Sequence, residues 1–160
     1  MEENATRSLQ QEIRQTVPFR SAAQEAVIAI ARTADVVTSR FERALEPHGV
    51  TGQQYNVLRI LRGARGRPLR TLEVGQRMIQ RTPGVTRLID RLAAKRLVRR
   101  EPCAHDRRVI YCVITDAGLE LLSRTDELID RLEQQLGAAV SPEQLAAMLD
   151  GLACVRRAAE

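Results

Sequence analysis

The sequence predicts a mainly α-helical chain with one small β-hairpin. Apolar residues make up 44% of the chain and aromatic ones only 2%, so the core rests on Leu, Ile, Val and Ala. Those side chains suit helices better than the aromatic-rich strands of a β-sandwich. Several long segments carry apolar residues at helical spacing and open on a capping residue. One stretch, 97–115, reads as paired strands. At 160 residues the length suits one domain, or one domain with appended helices.

Residues 1–18 are polar and end at Pro18, a tail or a short, weakly held helix. A long helix spans 21–46, with Val27, Ile30, Ala31, Ala34, Val37, Phe41 and Leu45 on one face. Pro47, His48 and Gly49 stop it. A helix that long usually buries part of its stripe against another chain. Thr51 starts the next helix with Gln54 three residues on, the capping-box arrangement, and Tyr55, Leu58 and Leu61 face inward. The loop 63–68 follows, then a short helix over 71–78 with Leu72 and Val74 as core contacts. After "QRTPG" a further helix runs to about residue 95, capped by Thr82 with Pro83 at its first position. Its inward residues are Val85, Leu88, Ile89 and Leu92.

Strands at 97–101 and 109–115 are joined by the polar tip 102–108. Both faces of the second strand are apolar, which suits a strand covered on both sides. A helix over 116–136 carries Leu122, Ile129, Leu132 and Leu136 on one stripe. Ser141, Pro142 and Gln144 then signal a last helix to about residue 157, with Leu145, Met148, Leu149, Leu152 and Val155 apolar. The organisation expected is a tail at 1–18, helical regions at 19–47 and 116–160, and a compact unit at 48–115.

Net charge is +5 and unevenly spread. Residues 51–80 carry six Arg against Glu73, and 81–108 carry nine basic residues against Asp90, Glu101 and Asp106. Residues 116–160 reverse the sign, with nine acids against four Arg. A basic centre points to a polyanion, the other reading being a solvated face in an Arg-rich chain. The N-terminal "MEENATRSLQQEIRQ" has no apolar signal region, and no apolar run reaches membrane-spanning length, so a cytoplasmic chain without a membrane partner is expected. Cys103, Cys112 and Cys154 are odd in number and lack CxxC spacing, so no disulfide framework and no zinc site is expected. Nor is a cofactor. The two His stand apart and there is no P-loop, nucleophile elbow or dinucleotide fingerprint, which argues against an enzyme.

Helix, helix, turn, helix, hairpin is the order of a winged helix-turn-helix. The third helix of such a unit enters the major groove with its N-terminal residues on base edges. Here these are Thr82, Pro83, Gly84, Thr86, Arg87 and Arg91. Pro83 and Gly84 are small enough for close approach, and the first-turn N–H groups favour a phosphate. Arg87 has the planar fork that matches the two acceptors of guanine. The hairpin tip supplies His105, Arg107 and Arg108 for the minor groove or flanking phosphates. Asp106 would repel DNA unless paired, so it is expected to orient Arg108 or Arg107. Cys103 has Arg100, His105, Arg107 and Arg108 near it in sequence, which makes it a candidate redox thiol beside the plainer reading of an exposed cysteine. Cys112 reads as a core strand residue and Cys154 as a helix-packing one.

The stretches "TGQQYNVLRIL", "TPGVTRLIDRLAAKRLVRRE", "DRR" and "VITDAGLELL" resemble the MarR family of bacterial transcription regulators over about residues 30–155. The resemblance implies a homodimeric repressor or activator on a pseudo-palindromic operator in duplex DNA. It implies that the first and the last two helices form the dimer, and that each protomer places one helix in the major groove. The family's Asp-x-Arg motif falls on Asp106 and Arg108. A small anionic or phenolic effector bound between the dimerisation and DNA-binding lobes is also implied, and some members sense oxidants through cysteine. This chain departs from the family in carrying Arg96 where Gly is usual, and in lacking a cysteine in its first long helix. The sequence thus reads as a DNA-binding repressor released by a small ligand. The alternatives are a redox regulator using Cys103 and a winged-helix module serving protein assembly without DNA.

Overall fold

The computed structural model describes residues 8–80, 83–103, 106 and 109–160. The chain divides into two units, Met1–Glu42 and Arg43–Glu160. In the first, Ser8 and Gln11 form a capping box at the single turn α1 (Leu9–Glu12), the short helix expected within the polar N-terminus. The Glu12 carboxylate accepts from Arg32 Nε at 2.8 Å, and Arg32 also reaches Asp35 at 3.1 Å. Arg32 belongs to the long helix α2 (Ala22–Leu45). Val27 of its apolar stripe is 63% exposed, whereas Leu45 at its end is fully buried.

The second unit is built on α3 (Gly52–Gly63), which opens on the expected Thr51–Gln54 capping box. Val57, Leu58 and Leu61 of α3 are buried. Next come β1 (Leu69–Arg70) and α4 (Thr71–Arg77), then α5 (Val85–Ala94). Strands β2 (Val98–Pro102) and β3 (Ile110–Ile114) precede α6 (Asp116–Gly137) and α7 (Pro142–Ala159). Two expectations about α4 and α5 need correction. Val74 is fully buried but Leu72 is 73% exposed, because residues two apart on a helix point to different faces. The helix expected to start at Pro83 under a Thr82 cap starts at Val85 with Gly84 as N-cap. Pro83 lies in the turn before it, and Thr82 lies outside the described residues.

The sheet is larger than the expected hairpin. Its three strands run in the order β1-β3-β2, all antiparallel, with Leu69 opposite Cys112 and Val98 opposite Ile114. Two residues of β1 are too few to show alternation in the sequence. Cys112 is buried, but the other four residues of β3 are half-buried rather than covered on both faces. A two-residue β1 leaves much of that edge open.

The end of α5 closes without glycine. Arg96 takes φ +59°, its N–H donating to the Ala93 carbonyl at 2.9 Å and that of Leu97 to the Leu92 carbonyl at 3.0 Å. This pair of bonds is a Schellman closure. The Thr115 hydroxyl donates to the Arg96 carbonyl at 2.7 Å and accepts from the Gly118 N–H at 3.2 Å, so one side chain holds the end of α5 and caps α6. Gly118 sits directly against the Leu97 carbonyl oxygen, and an added Cβ would also lie 2.7 Å from Ile114 Cγ1. Along α6, Leu122 and Ile129 are buried as expected, and Leu132 and Leu136 half-buried. Ser141 and Gln144 cap α7, and none of its 18 described residues is buried. Among the described residues, no helix is long and apolar enough to cross a membrane.

Gly118→Ala should therefore lower thermal stability by about 1–3 kcal/mol despite the better helix propensity of Ala; an unchanged or raised Tm would show that the contact has slack. Arg96→Gly should act oppositely. Relief of the left-handed strain, less the entropy of the added glycine, gives about 0.5 kcal/mol and a Tm rise of roughly 1–2 °C in a thermal melt.

Candidate nucleic-acid interface

The amphipathic pattern of α5 decides which residues reach solvent. Leu88, Ile89 and Leu92 are buried, while Thr86, Arg87 and Arg91 are exposed. Arg87 and Arg91 stand four residues apart and so share one face. Neither has a carboxylate partner among the described residues. The acid of α5, Asp90, is different: the guanidinium of Arg100 on β2 donates to its Oδ1. The helix thus presents two unpaired cations while its negative charge is neutralised from the strand behind it.

Elsewhere the basic block is largely spent on internal pairs. Arg67 and Arg77 both bind Glu73, at 2.6 and 2.7 Å. The Arg67 hydrogen bond, with the charge of Arg77, holds the Glu73 carboxyl below the usual carboxylate range. Arg62 grips Asp126 of α6 through two bonds of 2.6 and 3.1 Å, and Arg99 binds Glu101 at 2.6 Å. Lys95 donates to the Gly49 carbonyl and, at 3.3 Å, to the Gln54 amide oxygen, tying the end of α5 to the start of α3. Its charge is used for position. Of the broad basic block that the sequence shows, Arg87 and Arg91 on α5 keep their charge free of an acid among the described residues, as do the exposed Arg65, Arg70 and Arg96.

The turn before α5 is held from α3. The Ile79 N–H donates to Asn56 Oδ1 at 3.0 Å, and the Gln53 amide donates to Gln80 at 3.2 Å. Sequence reasoning missed both Asn56 and Arg100. An isolated acid in a cationic helix was the available signal for Arg100, since it calls for a neighbouring cation; Asn56 left none. Between α4 and α5 lies a groove of about 860 Å3 lined by Leu72, Gly75, Pro83, Val85 and Thr86 among others.

At the hairpin tip, the Cys103 N–H donates to the Val109 carbonyl and the Val109 N–H to the Asp106 carbonyl, both at 2.9 Å. Asp106 is exposed and Cys103 half-buried. His105, Arg107 and Arg108, and with them the side chains that Asp106 was expected to orient, lie outside the described residues. Burial pushes the Cys112 thiol up, against a smaller opposing effect of its contact with Thr71, so it stays protonated as a core residue. Cys154 was expected to pack within the helices; it is exposed, accepting from Arg157 at 3.2 Å.

The MarR family model matches residues 48–109, which run from the turn after α2 through the hairpin tip. The chain is 31% identical to a MarR transcription factor from Planctomyces limnophilus, the match covering 86% of this chain and 99% of that one with a TM-score of 0.67. It is 25% identical to Sco3205, a MarR family transcriptional regulator from Streptomyces coelicolor solved in complex with DNA, over 89% of this chain and 94% of that one, with a TM-score of 0.76. It is also 25% identical over 118 residues to the homoprotocatechuate degradative operon repressor of Escherichia coli, 74% of this chain and 78% of the relative. The helix-turn-helix backed by a three-stranded sheet is therefore the winged helix of a known group of regulators, and the chain belongs to the MarR family.

Proposed function

We propose that this chain is a homodimeric repressor that binds a pseudo-palindromic operator in duplex DNA and is released from it by a small anionic or phenolic effector. The observation that carries the DNA reading is the outer face of α5, where Arg87 and Arg91 stand unpaired while Arg100 neutralises Asp90. Internal pairs engage Arg62, Arg67, Arg77, Arg99 and Arg100 nearby, so an external polyanion is the natural partner of the two cations left on this helix face. Support also comes from Sco3205, whose structure holds DNA.

In this reading residues 48–115 form the DNA-binding domain, 19–47 and 116–160 the dimerisation region, and 1–18 a tail. Thr82, Pro83, Gly84, Thr86 and Arg87 approach base edges in the major groove, and Arg91, one turn on, reaches a phosphate. Arg107 and Arg108 reach the flanking backbone and minor groove, with Asp106 fixing their aim. The apolar residues left open on α7 support the dimer: Met148, Leu149 and Val155 are 47%, 57% and 47% exposed, a face that a second copy would cover. Repression follows the name of the Escherichia coli relative, and homoprotocatechuate, named with its operon, is itself a phenolic carboxylate. Release is a competition between dimer geometries. One sets the two α5 helices about 34 Å apart, the spacing of successive major grooves, and the effector favours the other. Such a regulator acts in the cytoplasm.

Affinity for operator DNA should fall about a hundredfold or more between 50 and 200 mM salt, because each neutralised phosphate releases counterions; a flat salt profile in fluorescence anisotropy would refute DNA binding. Arg87→Ala and Arg108→Ala should each weaken binding about 5- to 100-fold with no change in Tm, and full affinity in either would remove that residue from the interface. Leu149→Asp on α7 should shift the sedimenting species from dimer to monomer. A dimer that survives this change would place the interface elsewhere.

A further inference from the structure

Leu72 and Ile79, at the two ends of the α4 segment, are 73% and 85% exposed. Neither is needed for packing: α4 is anchored by the fully buried Val74 and by Thr71, whose hydroxyl donates to the Ile110 carbonyl at 3.4 Å. Leu72 forms one wall of the groove between α4 and α5, and Pro83, Val85 and Thr86 form the other. Gly75 makes the floor. A Cβ there would lie 3.3 Å from Val85 Cγ2, so the bare α-carbon lets the two helices approach closely without filling the groove. The recess thus sets the apolar Leu72, Pro83 and Val85 among the polar Thr71, Gln76 and Thr86, and Thr86 directly precedes the exposed Arg87 in α5.

A recess with apolar side chains on both sides, on helices that carry uncompensated cations, fits a small apolar group carried on a polyanion. In the major groove that group is the 5-methyl of thymine, which distinguishes thymine from every other base on that edge. An apolar side chain of a protein partner would fill the recess but bury Arg87 and Arg91 without counter-charge, whereas phosphates supply it. We infer that the Leu72–Thr86 groove is a methyl-reading site, with Leu72 of α4 a specificity-determining residue for thymine in the operator. This rests on the DNA-binding reading above, and it extends base readout beyond α5 to the helix before it.

The test uses full-length protein and a duplex that the protein itself enriches from a random library. Each thymine of that duplex is then replaced singly by deoxyuridine, which removes only the methyl group. At the positions read by the groove, affinity should fall about fourfold, the size expected for exposing one buried methyl group. Leu72→Ala, an exposed substitution that should keep the parent Tm, should bind the thymine and uracil duplexes equally at those positions. If no single replacement weakens binding, or if the fourfold penalty persists undiminished in Leu72→Ala, the inference is overturned. Failure to enrich any duplex would instead overturn the DNA-binding reading on which it rests.

Discussion

Three elements of the second unit meet at the backbone of Arg96 and Leu97. The Leu97 N–H closes α5, the Leu97 carbonyl accepts from the Thr115 N–H at 3.1 Å, and Gly118 of α6 lies against that same carbonyl. The Thr115 hydroxyl completes the junction by bonding the Arg96 carbonyl and capping α6. These are backbone contacts or contacts of one short side chain, so they have little freedom to stretch. The end of α5, the residue leading into β2 and the start of α6 are consequently held at one point. Displacement of the start of α6 against the sheet would therefore disturb the end of α5 as well.

Charge is organised around the same unit. Three acids inside the basic block are engaged: Glu73 by Arg67 and Arg77, Asp90 by Arg100, and Glu101 by Arg99. Exposed pairs of this kind add little stability. Their consequence is spatial, because they reduce positive charge on α4 and β2 while Arg87 and Arg91 on α5 keep theirs. The Arg100–Asp90 pair also links β2 to α5, so the same bond that removes a repulsive carboxylate fixes the helix against the stem.

Much of the fold was legible because its signals are local. The Thr51 and Ser141 capping boxes and the Leu122–Ile129 stripe are patterns over three to eight residues, and each formed as read. Where two local signals competed, the sequence misled. Thr82-Pro83 looks like a cap followed by a first-turn proline, yet α5 waits until Gly84 and Val85. Leu72 looks like a core residue by composition alone, but Val74 is the one that packing admits. Arg96 stands where a glycine would close the helix most easily, and the fold imposes the left-handed conformation on it through the Thr115 bond.

The sequence by itself determined the helices, the hairpin and the sign of charge in the middle of the chain, since capping, periodicity and composition act over short spans. It also placed Arg87 and Arg91 together, because positions four apart share one helix face. Only the tertiary structure decided which cations stay unpaired, that a two-residue strand joins β3, and that Leu72 is turned into a groove beside α5. Several of those outcomes depend on partners 10 to 64 residues away in the chain, such as Asp90 with Arg100 and Arg62 with Asp126. No short-range pattern encodes pairings across such distances; they exist only once the core has brought the elements together.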